Sequence, residues 1–204
     1  MSGKKALAIC TSVIFLSACG GSNDSENPAT TAPVTSTGIF IDSAVEGLQY
    51  TTDTLSGITN AAGEYQYIAG ETVRFSIGGI ELGSAPAGPV VTPLSLVNGA
   101  IDQTDPVVTN IVRLLLTLDS DSLPDNGITI SAATSAAAAG LTVDFTGQDL
   151  ASDPGVTTLL SQISNQPALV DAQTAQTHFA ATLNQQSSWG SMVWGSGTWQ
   201  AKAP

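Results

Sequence analysis

Three aspartates and an asparagine, Asp119, Asp121, Asp125 and Asn126, crowd the stretch "LLLTLDSDSLPDNGI" directly behind a run of leucines. Oxygen-bearing side chains are the ligands calcium prefers, so the first chemistry to weigh is a weak calcium site of the kind found in extracellular modules. Counted from Asp119 as an EF-hand loop, the stretch fails. Its sixth position is Pro124, where glycine is needed, and its twelfth is Ile130, where glutamate is needed. The aspartates follow a helical pattern, and negative charge at a helix C-terminus is unfavourable unless a cation relieves it. The other reading is an Asx-type turn at Asp125-Asn126-Gly127 that ends the helix, with solvated acids around it. Both readings stand at this point, with no cofactor required.

Little else in the chain has the types or spacing of a catalytic site. His178 is the only histidine, placed on a helix among packing residues, and reads as a half-buried helix residue. One imidazole cannot supply a hydrolytic zinc site, and no G-x-S-x-G elbow is present. Seventeen acidic side chains leave glycoside chemistry open in principle, but nothing selects a pair. A non-enzymatic protein is the expectation, with a secreted hydrolase, or an accessory subunit of one, as the alternative. Near the end, "SSWGSMVWGSGTWQAKAP" sets Trp194 and Trp199 around a Gly-Ser-Gly turn. Such rings can stack on sugars or fill a partner's pocket. They can equally cover the helical part or begin a further β-domain.

The N-terminal residues carry an address. "MSGKK" is basic, "ALAICTSVIFL" is apolar, and "LSAC" supplies small residues up to Cys19. That order makes a secretory signal whose core is too short to span a membrane. It resembles a bacterial lipoprotein signal, because Leu16-Ser17-Ala18-Cys19 fits the lipobox. The resemblance implies cleavage before Cys19, acylation of that residue, and anchoring by several acyl chains. Gly20, not aspartate, follows the cysteine, which in this family implies the outer membrane over the inner if the organism is Gram-negative. Cys10 leaves with the signal and Cys19 is spent on lipid, so disulfides and thiol chemistry are excluded from the mature domain. The formal net charge of −12 becomes two units more negative once Lys4 and Lys5 leave. So acidic a chain repels phosphate backbones, and nucleic acid is excluded as a partner. The expected partners are the membrane, through the lipid on Cys19, and an envelope protein or glycan.

The elements expected to carry these residues follow in order. Residues 1–18 are the signal, and 19–37 are a small, polar, proline-containing tether. Over 38–97 the pattern has period two: Val73, Phe75 and Ile77 share one face of a strand, as do Tyr65 and Tyr67. Glycine-containing connections at 60–63, 68–71 and 77–80 read as short hairpins. Over 98–184 the period becomes helical. Asp105-Pro106 caps and opens a helix with Val107, Val108, Ile111, Leu114, Leu115 and Leu118 on one face and Asn110, Arg113 and Thr117 opposite. Ser131 to Gly140, "DPGVTTLLSQI" and "ALVDAQTAQTHFAATL" read as further helices, the last with Ala172, Ala175, Phe179 and Leu183 on one side. "LTVDF" at 141–145 is a strand or an extended connection, and 185–204 is a Trp/Gly-rich tail. The fold class is therefore α+β, a small antiparallel β-sandwich followed by a compact helical part.

"GIFIDSAVEGLQYTT" and "SGITNAAGEYQYIAGETVRFSIGGIELG" resemble the prealbumin-like modules called carboxypeptidase-regulatory-like domains, with Gly57, Thr59, Gly63, Tyr65 and Tyr67 carrying the signature. The span 38–184 is similar to a group of bacterial envelope lipoproteins loosely labelled organic-solvent transporter components. The shared order is D-x-A-V-x-G-L-x-Y, G-x-T, I-G-x-x-x-L-G, N-I-x-R-L-L-x-T-L-D, then an aspartate-rich loop ending in N-G-I. The resemblance implies an architecture and an envelope address, not a mechanism. With no apolar run near the about 20 residues that cross a bilayer, a permease role is not expected.

Overall fold

The computed structural model describes residues 33–147, 149–163 and 167–190. Cys19, the signal, Trp194 and Trp199 lie outside the described residues. The architecture is α+β, a small β-sandwich with a helical part.

Strands β1 (Thr35–Phe40), β5 (Glu64–Ile68) and β8 (Val90–Val91) form one sheet in the order β5-β1-β8. Strands β3 (Gln49–Thr51), β4 (Ser56–Ile58), β6 (Thr72–Ile77) and β7 (Ile80–Pro86) form the other, in the order β4-β3-β6-β7. The period-two reading of β6 holds: Val73, Phe75 and Ile77 are fully buried, and Thr72 and Arg74 are exposed. The two sheets meet through aromatic rings. Phe75 of one lies 4.7 Å, centroid to centroid, from Phe40 of the other and 5.2 Å from Tyr65. Tilted and edge-on pairs of this kind add to the burial of the rings themselves.

Three expectations are corrected here. Of the three glycine connections, only 77–80 joins neighbouring strands of one sheet. The turns at 60–63 and 68–71 carry the chain from one sheet to the other and back. A glycine-rich turn looks alike in sequence whether the strand it feeds pairs alongside or crosses the core. Strand β1 begins inside the expected tether, Thr35 pairing with Ile68 and Thr37 with Gln66. Its Thr-Ser-Thr start has no apolar alternation to reveal it, yet threonine suits a pleated strand. The pairing is also not wholly antiparallel: β1 runs parallel to β8, and β2 (Val45–Glu46) runs parallel to β9 (Ile128–Thr129).

The signature residues of the β half prove to be packing devices. Thr59, 2% exposed, donates its hydroxyl to the Val45 carbonyl at 2.7 Å and accepts from the Leu48 amide at 3.0 Å. Gly57 lies under the Tyr50 ring, where a Cβ would come within 2.7–2.9 Å of ring atoms.

Helix α1 (Pro106–Leu118) is capped by Asp105, whose carboxylate accepts from the Val107 and Val108 amides. It is more deeply set than its amphipathic pattern implies. Asn110 and Thr117, expected on an outer face, are buried. A second layer covers that side: Asn110 donates to the Phe145 and Gly147 carbonyls, and the Thr117 hydroxyl accepts from the Val170 amide at 2.9 Å. Residues 141–144 belong to no helix or strand. Helices α2 (Ala132–Ala137) and α3 (Pro154–Gln162) are capped by Ser131 and Asp153. Helix α4 (Ala172–Gly190) packs on α1 and runs past residue 184 into the span expected as tail. Its inner face is Ala175, Phe179 and Thr182, with Leu183 partly buried, while Ala172 is exposed.

Backbone hydrogen bonds help to join the halves at two places. Strand β9, which follows α1, joins β2 of the sandwich. The β6–β7 turn meets the end of α2, where the Gly79 amide donates to the Ala138 carbonyl at 2.9 Å. Gly78, at φ 56°, sits where a Cβ would lie 2.4 Å from the Ser135 carbonyl oxygen, so only glycine fits both the turn and the contact.

Candidate functional site

The aspartate-rich segment forms a closed turn. Asp119, at the C-terminus of α1, is 5% exposed, and its Oδ1 accepts from the Thr129 amide at 3.0 Å. Its Oδ2 is buried without a hydrogen-bond partner. Burial is the main influence raising the Asp119 pKa; the Thr129 amide opposes it and the neighbouring Asp121 charge adds to it. Asp121 uses both oxygens: Oδ1 accepts from the Leu123 amide and Oδ2 from the Asn126 side-chain amide, each at 2.9 Å. The Asn126 amide and then the Leu123 amide hold the Asp121 carboxyl below its ordinary range. An Asx turn is therefore present, but Asp121 makes it; the Asp125-Asn126 pair lies in a single 3-10 turn, Pro124–Asn126. Among the described residues, no three His, Cys, Asp or Glu side chains converge to hold a metal ion. With both Asp121 oxygens engaged, the melting temperature is expected to stay within about 1 °C between chelator and millimolar calcium, since an ion bound only by the folded state would raise it. A calcium-dependent rise that Asp121→Asn abolishes would show that the turn opens to take an ion.

A second acidic group went unremarked in the sequence. At the tip of a tight turn, where Ile41 bridges Ala44, Asp42 turns its carboxylate inward and is 0% exposed. The next residue, Ser43, has φ 55°, a left-handed conformation rare outside glycine. His178 of α4 meets the carboxylate, Nε2 to Oδ1 at 3.3 Å, with its side chain 13% exposed. The contact lacks hydrogen-bond alignment and is an ion pair only while His178 carries the proton and Asp42 does not; neither Asp42 oxygen has another partner. Burial pushes the Asp42 carboxyl up, and His178 pulls it part of the way back. His178 is raised chiefly by its contact with Asp42; burial opposes this, and the charges of Asp42 and Asp125 add to it. The available signal was an aspartate between Phe40-Ile41 and Ala44-Val45, a poor place for a charge without a partner. Sequence separation hid that partner.

Two recesses lie near the seam between the halves. The larger, a groove of about 830 Å³, is bounded by Glu46, Gln49, Ile58 and Thr59 of the sandwich and by Ser131 and Ser135 around α2. Its sandwich side includes β4, an edge strand whose Ile58 is 64% exposed. The smaller, about 220 Å³, is lined by Asp119, Ser120, Ser122, Ser131, Thr134 and Gln162. His178 lines neither. What the geometry offers is a shallow groove beside an edge strand, a hydroxyl-lined recess at Asp119, and a buried carboxylate–imidazole pair away from both.

Compared with protein-family models, curated proteins and solved structures, the chain matches none of them, and the reading of its site rests on its own geometry.

Proposed function

We propose that this protein is a lipid-anchored component of the cell envelope, held in the outer membrane through Cys19. There it acts as a non-enzymatic binding or structural module on another envelope protein or a glycan. The observation that carries the binding reading is the groove between the sandwich and α2, with the exposed Ile58 on edge strand β4 at its rim. An edge strand presents unpaired backbone donors and acceptors, and an extended segment can add to it while the adjoining groove selects side chains. The lipobox and the resemblance to envelope lipoproteins support the address.

The test is capture from native membranes by the lipidated protein. Ile58→Glu is expected to abolish a specific partner's capture, while Ile101→Glu, at a site 88% exposed elsewhere on the chain, leaves it intact. Equal capture by both variants would move the binding surface away from the groove. The anchor is tested separately. Cys19→Ser is expected to shift the protein largely from the membrane fraction to the soluble one, because the acyl chains supply the membrane affinity. Unchanged membrane association, together with no acyl group on the wild-type protein, would overturn the anchor.

A further inference from the structure

The Asp42–His178 contact joins a turn of the sandwich to a helix near the other end of the chain. Within α4, His178 is the only ionisable side chain. Among the described side chains of α4, Ala175 and Phe179 are the fully buried apolar ones, and Gln176 adds a 3.2 Å bond from its amide to the Thr109 hydroxyl of α1. A carboxylate with no exposure and no other partner is tolerable beside a protonated imidazole, or when it carries the proton itself.

We propose that the docking of α4 is proton-gated: the Asp42–His178 pair holds one proton while the helix is seated, and loss of that proton releases α4 from a sandwich that stays folded. Seated, the pair is neutral overall, whichever partner holds the proton. Deprotonation leaves the Asp42 carboxylate charged in a site closed to water, and release of α4 rehydrates it.

The surrounding charges bear in the same direction. Asp125, in the turn after α1, acts on His178 as a second negative charge and favours its protonated form. The one charged side chain within α1 is Arg113. It is engaged elsewhere, donating Nε to the Val170 carbonyl at 2.7 Å and Nη1 to the Asn110 oxygen at 3.2 Å. Asp171, ahead of α4, caps the helix through the Thr174 amide and hydroxyl. The raised His178 pKa puts the release on the alkaline side of the ordinary imidazole range.

The experiment is hydrogen exchange of the intact protein in a neutral detergent, from about pH 6 to about pH 9, spanning the ordinary imidazole value of about 6.5. Exchange is corrected for the intrinsic rate at each pH. Protection of α4 amides at 173–183 is expected to fall by up to about tenfold per pH unit above the His178 midpoint, the limit for loss of one proton. Amides of β6 and β7 should hold within about twofold, being part of the unit that stays folded. In Asp42→Asn the amide cannot be left charged, so the alkaline fall in α4 should vanish. Because the chain has one histidine, the imidazole proton resonance gives an unambiguous titration. Its midpoint should lie above about 6.5 in the wild type and drop in Asp42→Asn. Parallel loss of protection in α4 and β6–β7, constant protection of α4, an unshifted midpoint, or an unaltered fall in Asp42→Asn would each overturn the proposal.

Discussion

Phe75→Ala is expected to lower the free energy of unfolding by about 3–5 kcal/mol, the range for removing a large aromatic from a packed core. Phe75 has no exposed surface, and its ring touches both Phe40 and Tyr65, so one truncation opens a void between the two sheets. The surrounding rings can collapse only in part, because the Tyr65 hydroxyl is held by donating to the Gly88 carbonyl at 2.7 Å and accepting from its amide at 3.0 Å. Denaturant unfolding should show a lower midpoint at an unchanged slope. For a domain of this size the melting temperature should fall by roughly 10 °C. A loss below about 1 kcal/mol would mean that the two sheets do not share this core.

The second large effect is expected at His178. Removing one partner of a buried ion pair costs about 3–5 kcal/mol, because the other is left buried and uncompensated. His178→Ala leaves Asp42 in that position, so in the variant Asp42 must take up a proton to remain buried. The Asp42→Asn/His178→Ala double variant should recover part of the loss, which a double-mutant cycle reads directly. The pH dependence has a definite sign. Both groups have folded pKa values above their unfolded ones, so the folded protein binds more protons. The His178 contribution is fully present below its unfolded value of about 6.5 and is lost as pH rises through its higher folded value. Preference for protonated Asp42 acts in the same sense from about 3.8 upward. Wild-type stability should therefore decline on the alkaline side, and stability that rises steadily from pH 6 to about pH 9 would contradict the pair.

What could be read in the sequence was local. Asp105-Pro106 and Asp153-Pro154 announce helices because an aspartate cap and a first-turn proline act within a few residues, and both helices start there. Alternation exposed β6 because Val73, Phe75 and Ile77 record its buried side one residue at a time. What was hidden depends on residues far apart. Whether the turns at 60–63 and 68–71 keep or change sheets is decided by which strand waits across the core. The second covering of α1 shows only when Asn110 reaches Phe145 and Gly147. The same holds for the site: a turn behind α1 was legible, but at Asp125-Asn126-Gly127 and not at Asp121 that makes it, while Asp42 had no visible partner until α4 was in place.

The parallel bridge between β2 and β9 has a consequence for how the chain acquires its structure. Pairing Val45 with Ile128 closes a loop that contains most of the sandwich and all of α1. The entropy of that closure must be overcome before the contact repays it, and contacts of such sequence separation slow folding. A chain emerging N-terminus first can form the β6–β7 hairpin from residues close in sequence. It cannot complete the β2 edge until Ile128 has followed. Until then that rim is an open strand edge, vulnerable to wrong pairing with a second emerging chain. Refolding should accordingly show an early phase in β6–β7 and a later one in which β2, β9 and the Asp119 turn become protected together.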